Sequence, residues 1–187
     1  MSIQSVFQGG DAARTAASQI AEQVKSSPAG MNPADVAALS DALKEGSKGT
    51  AAAREGACIA IDTIASVAKT TAEHQLMPFV ADLVRCCADK HSKEVQSAAA
   101  AATLTLAKTS SAYGLDAVLP SLLTAMDPKE KWQTMVGALN MVSKFAECSP
   151  LSTSFALNDI IPIVTQMVND SKQEVSVAAR ECLSKIC

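Results

Sequence analysis

Apolar positions recur at helical spacing in four stretches of this chain. If Ala53, Val95, Trp132 and Val175 are equivalent, the residues at +3, +4 and +7 are small or apolar in every case: Gly56, Ala57 and Ala60; Ala98, Ala99 and Ala102; Met135, Val136 and Leu139; Ala178, Ala179 and Cys182. That spacing lays one buried stripe on each of four helices. A second set of segments has the form apolar-Pro-apolar: Met77-Pro78-Phe79, Leu119-Pro120-Ser121-Leu122 and Ile161-Pro162-Ile163, with prolines 42 and then 42 residues apart. Each leads through an apolar run and a charged turn into one of the stripes. The unit is helix–turn–helix, recurring roughly every 40 residues.

Turn chemistry supports the same division. Asp127-Pro128-Lys129-Glu130 supplies an N-cap acceptor, a proline at the first helical position and a glutamate at N3, while Ser171-Lys-Gln-Glu174 reads as a capping box. Ser92 and Ser47 suit the equivalent caps upstream, with Gly46 and Gly49 breaking the first pair. Loop residues separate the units at 26–30, 70–71, 109–111 and 149–151. The expected organisation is one domain over 1–187, with a partial unit at 1–29 and helix pairs at about 30–71, 72–111, 112–151 and 152–187. Pro78, Pro120 and Pro162 fall in the first turn of their helices or kink them if further in. Two helices per period give an all-α HEAT-repeat α-solenoid, a right-handed superhelix of antiparallel helix pairs. The final helix reaches Cys187 without a polar stop, so a longer parent is expected.

Composition narrows the functional classes. The 187 residues include 34 alanines, only 3 % are aromatic, and the formal charge is −3. Small side chains therefore build the core, and binding to DNA through bulk positive charge is not expected. Neither a secretory leader nor a bilayer-spanning apolar run is present, so no membrane partner and a cytoplasmic location are expected. The six cysteines lack CxxC spacing and lie far in sequence from His74 and His91, which favours reduced core thiols and no metal. Gly46-Ser-Lys-Gly-Thr50 has its lysine in the wrong place for a phosphate loop. No nucleophile stands beside a base in any recognisable pattern, so catalytic, cofactor and metal residues are none.

A surface remains. Stacked helix pairs align their turns along one edge, and those turns carry Lys44, Lys48, Lys90, Lys93, Lys129, Lys131 and Lys172. Seven acids share the same windows, so the ridge reads either as a solvated mixed-charge edge or as lysine tips able to meet phosphates, with the acids capping the helices behind them. Trp132, the single tryptophan, is expected to anchor the core between repeats.

Leu76-Met-Pro-Phe-Val-Ala-Asp-Leu-Val84, Lys93-Glu-Val-Gln-Ser-Ala-Ala99, Leu119-Pro120, Lys131-Trp-Gln133, Ile160-Ile-Pro162 and Lys172-Gln-Glu-Val175 occur in an order and spacing that resembles the N-terminal HEAT domain of the elongation factor 3 family. The resemblance implies a ribosome-docking HEAT domain, touching rRNA and ribosomal proteins, within a cytosolic ABC-F ATPase that promotes release of tRNA from the exit site. Its two ATP-binding cassettes are absent from this stretch, so ATP and Mg²⁺ belong to the parent, and this piece is expected to be a non-enzymatic monomer. The alternative is a generic HEAT interaction scaffold: a ribosome binder like the large general-control translational activator, or a tubulin-binding TOG-like module. TOG domains carry their turn tryptophan in the first repeat, whereas Trp132 lies in the fourth unit. An importin-like adaptor lacks its rows of Asn and Trp here.

Overall fold

The computed structural model describes residues 3–27, 29–44 and 50–187. Among the described residues ten α-helices follow one another: α1 (Gly10–Ser26), α2 (Pro33–Leu43), α3 (Ala51–Ala68), α4 (Glu73–Leu76), α5 (Val80–Cys86), α6 (Lys93–Thr109), α7 (Gly114–Ala125), α8 (Trp132–Cys148), α9 (Pro150–Met167) and α10 (Gln173–Ile186). No strand occurs among the described residues. A 3₁₀ turn over Ile3–Gln8 precedes α1, and another over Met77–Phe79 joins α4 to α5.

The helices form two rows. In one, the second row, α1, α3, α6, α8 and α10 pack side by side in that order; in the other, the first row, α2, α5, α7 and α9 do. Across the rows α2 meets α3, α5 meets α6, α7 meets α8 and α9 meets α10, so every extensive contact joins helices of the same or adjacent units. An open solenoid results, because no helix pair can bury its apolar face alone and each finds cover in its neighbour.

Burial fixes the register of the longer row. Ala13, Arg54, Val95, Met135 and Val175 occupy one position, 41, 41, 40 and 40 residues apart, and all five are buried. The residues four further on, Ala17, Cys58, Ala99, Leu139 and Ala179, have no solvent exposure at all. Met135 therefore stands where the sequence pattern placed Trp132. Trp132 is the first residue of α8, half-buried against the edge of the core.

Three helix starts depart from the expected caps. Asp127 accepts from the Lys129 amide through Oδ1 (2.8 Å) and from the Glu130 amide through its carbonyl (2.9 Å), which closes a tight turn before α8 begins at Trp132. Asp170 Oδ1 accepts from the Lys172 amide (2.7 Å), so α10 starts at Gln173 without the Ser171 capping box. The segment 149–151, expected as loop, already opens α9, with Pro150 at its first position. Ser92 does cap α6, accepting from the Val95 amide, and Thr50 does the same for α3 through Ala53; Ser47, Gly46 and Gly49 lie outside the described residues. Pro120 and Pro162 sit in the interiors of α7 and α9, on exposed positions where water can reach the carbonyls that lose their amide partners.

Polar tethers sew the units together. Gln75 grips the Met31 backbone from both sides, its Oε1 accepting from the amide (2.7 Å) and its Nε2 donating to the carbonyl (3.1 Å). Glu73 accepts from the Ser111 amide and hydroxyl (3.0 and 2.9 Å), and the Ser152 hydroxyl donates to the Ala112 carbonyl. On the opposite edge Arg54 Nε donates to Asp89 Oδ2 at 2.7 Å, both side chains buried. Asp89 Oδ1 also accepts from the amides of His91 and Ser92 (2.8 and 3.1 Å). Burial alone works to raise the Asp89 pKa, but the His91 amide, the Arg54 guanidinium and the Ser92 amide outweigh it and leave it below the ordinary carboxylate value.

Gly56 marks the tightest approach. A Cβ there would lie 2.0 Å from the Val6 carbonyl oxygen, so α3 and the N-terminal 3₁₀ turn meet with no room for a methyl group. Gly56→Ala is expected to cost about 2–3 kcal/mol in urea unfolding and to speed amide exchange around Val6; an unchanged midpoint would refute this contact. Asp89→Ala strands a buried guanidinium and is expected to cost about 3 kcal/mol. A carboxyl depressed by folding contributes stability above its unfolded pKa of about 3.9, and this disappears as pH falls through the lower folded value. The native chain should therefore lose stability below about pH 4 more steeply than Asp89→Ala does, as measured by denaturant midpoints across pH.

Candidate functional site

The turns from first-row to second-row helices all fall on one edge, because the second-row helices run side by side with their N-termini level. In three of these turns an aspartate folds back on its own backbone: Asp89 onto the His91 amide, Asp127 onto that of Lys129 and Asp170 onto that of Lys172. Each acid is tied to its own turn, Asp89 buried, Asp170 half-buried and Asp127 exposed, and an exposed lysine stands beside it. Asp89, which the sequence places among solvated ridge acids, is instead buried with Arg54.

The predicted lysines divide into distinct groups. Lys90, Lys93, Lys129 and Lys172 are exposed and make no ion pair among the described residues. Lys44 is exposed but its Nζ lies 3.2 Å from Asp41 Oδ1. Lys131 is half-buried and turns back, donating from Nζ to the Ala88 carbonyl at 3.2 Å, so it braces the preceding turn rather than standing at a tip. Lys48 lies outside the described residues. Lys93 also borders an open groove of about 700 Å³ whose floor is α3 and whose walls are α1 and α6, where Arg14, Glu55, Asp62 and Glu94 mix both signs of charge. Among the described residues no group of His, Cys, Asp and Glu could hold a metal ion.

Arg54 is the residue that sequence reading missed. It sits at an apolar register position, and its meaning appears only once Asp89, 35 residues on, is seen in contact. The shift from the position of Val95 to Met135, rather than to Trp132, was the available signal.

The buried thiols show no reactive setting. All six cysteines are free, and Cys58, Cys86, Cys87 and Cys182 are buried. A hydrogen bond with Cys86 and burial hold the Cys58 pKa well up, and burial lifts Cys87 to about 12, so these groups stay protonated and poorly nucleophilic near neutral pH. No helix among the described residues is long and apolar enough to cross a membrane.

The architecture has parallels among solved structures. Kap121p superposes with a TM-score of 0.62 at 15 % identity, covering 94 % of this chain and 17 % of that one. A designed armadillo repeat protein gives a TM-score of 0.50 at 17 % identity, with 99 % and 80 % covered. Both show the fold alone.

Sequence relatives are more specific. Elongation factor 3 of Gonapodya prolifera is 34 % identical over 136 residues, 72 % of this chain and 12 % of that protein. Elongation factor 3 of Phytophthora infestans is 30 % identical over 168 residues, 89 % of this chain and 16 % of that protein. The stalled ribosome sensor GCN1 of Mus musculus is 30 % identical over 151 residues, 81 % of this chain and 6 % of that protein. The chain thus spans less than a fifth of the length of these relatives. Residues 13–183 match the family model described as EF3 N-terminal HEAT repeat, which covers α3, α6 and α8 whole and most of α1 and α10. The chain is a member of the EF3 N-terminal HEAT repeat family.

Proposed function

We propose that this domain docks an elongation factor 3-like translation factor on the ribosome through the lysines of its turn edge. The observation that carries the reading is the repeated turn in which an aspartate closes on its own backbone and leaves an exposed amine beside it. Lys90, Lys129 and Lys172 follow that pattern, and Lys93 joins them from the first turn of α6. Amines spaced one repeat apart suit a phosphate backbone, whose contacts position a partner without reading sequence.

The family supports the same reading. Elongation factor 3 acts in translation by its name, and GCN1 is named for sensing stalled ribosomes. Ribosomal RNA and adjoining ribosomal proteins in the cytoplasm are then the partners, and the domain positions its parent without catalysing a reaction. ATP and Mg²⁺ would be handled by ABC-F cassettes of the parent, whose cycle promotes exit-site tRNA release. A second reading, a segment of a GCN1-like activator, draws on the comparable identity to that protein and keeps the ribosome as partner.

The purified chain is expected to co-sediment with purified eukaryotic ribosomes at low salt and to come off as salt rises. Charge reversal at Lys90, Lys93, Lys129 and Lys172 should reduce the slope of log affinity against log salt by about 3, at roughly 0.7–0.9 per lost phosphate contact. An unchanged slope would remove the edge from consideration, and co-pelleting with microtubules instead would favour the TOG-like scaffold.

A further inference from the structure

Tyr113 and Phe155 are the same position of the repeat. Each precedes its helix proline, Pro120 or Pro162, by seven residues, and the two are 42 residues apart, as the prolines are. Their solvent exposures are 79 % and 78 %, and Leu151, one turn before Phe155 on α9, is 71 % exposed. Apolar groups scattered singly need no explanation, but among the described residues the three most exposed large ones lie at the cap of α7 and in the first two turns of α9. Beside Tyr113 a cavity of about 450 Å³ opens toward α4, lined by Met77, Pro78 and Ala117 with His74 at its rim. Adjacent helix axes lie about 8–10 Å apart, so the two aromatic side chains recur at about that interval.

Across α7 and α9 the charge on this face has one sign; the neighbouring cation Arg85 of α5, near Pro120 and Ser121, is paired with Asp82. The only ionisable side chains of α7 and α9 are Asp116 and Asp159, both exposed and without an ion pair among the described residues. Asp116 is three residues after Tyr113 and Asp159 four after Phe155, so each shares the helix face of its aromatic. Lys108, the nearest lysine in sequence to Tyr113, belongs to the last turn of α6 in the other row. The lysine edge lies at the other end of these helices.

We infer that this first-row face docks a basic amphipathic helix of a partner protein. Large apolar side chains two turns apart on such a helix, about 10.8 Å, match the spacing of Tyr113 and Phe155. Lysines or arginines beside them meet Asp116 and Asp159. Exposed Tyr and Phe held on rigid helix starts supply contact area at little conformational cost, as anchoring residues of interfaces do. This surface is separate from the lysine edge, and its fate in the test is independent of ribosome docking.

The probe is a labelled synthetic helix of leucine and lysine, with leucines at i, i+3, i+4 and i+7, read by fluorescence anisotropy against the full 187-residue chain. The native chain should bind it and should ignore the counterpart helix with glutamate in place of lysine. Tyr113→Ser with Phe155→Ser should weaken binding by at least about tenfold, as loss of anchoring aromatics does. Asp116→Lys with Asp159→Lys should do the same, while Lys90→Ala with Lys129→Ala should leave it unchanged. All these side chains are exposed, so an unchanged thermal melt is expected and confirms that each variant is folded. Equal affinity in the serine variant, or equal binding of the glutamate helix, would overturn the proposal. So would capture of the native chain, but not the serine variant, by phosphatidylcholine–phosphatidylserine vesicles, which would assign the face to lipid. Native dimers that vanish in the serine variant would assign it to a second copy and overturn it equally.

Discussion

Every level of this molecule depends on second-row helices approaching closely enough to share one seam of side chains, small in every helix but α8, where Leu139 fills it. Ala17, Cys58, Ala99, Leu139 and Ala179 sit at one register position in five successive helices, each sealed from water. Larger residues there would force the axes apart, and the edge-to-edge hydrogen bonds would lose their reach. Beside the seam, where Gly56 of α3 meets the Val6 carbonyl of the N-terminal 3₁₀ turn, even a methyl group does not fit. The abundance of alanine is thus a packing requirement of the array as well as a helix preference.

On that frame the two edges acquire different chemistry. One carries aspartates that close their own turns, leaving amines outward; the other carries exposed aromatics with carboxylates on the same helix faces. The polar side chains that hold adjacent units together lie close behind both. Arg54 and Asp89 show how such a tether can be set in the core, where two charges are tolerated because the carboxylate also accepts two backbone amides.

Much of the fold was legible in the sequence because the repeat is written in residue size and in proline spacing. Helical class, the alternation of two helix rows and the edge location of the turn lysines all follow from local pattern. What escaped was decided by contacts between units. Trp132 reads as the equivalent of Val95 from the apolar residues at +3, +4 and +7 after it, yet the turn before it is closed by Asp127 and delays the helix, so Met135 takes the core position. Lys131 looks like a tip lysine until the Ala88 carbonyl, 43 residues earlier, is seen to hold it. The Arg54–Asp89 pair was invisible for the same reason, since neither residue announces a partner in an adjacent repeat.

The hold of Gln75 on Met31 touches only main-chain atoms and leaves the side chain at position 31 out of the joint. Such a joint fastens two neighbours without stiffening anything beyond them. Compliances of joints placed in series add, so a slight rotation repeated at each one swings the far end through a wide arc while no single seam opens. An array joined in this way bends by small shares at every joint, with its core intact throughout.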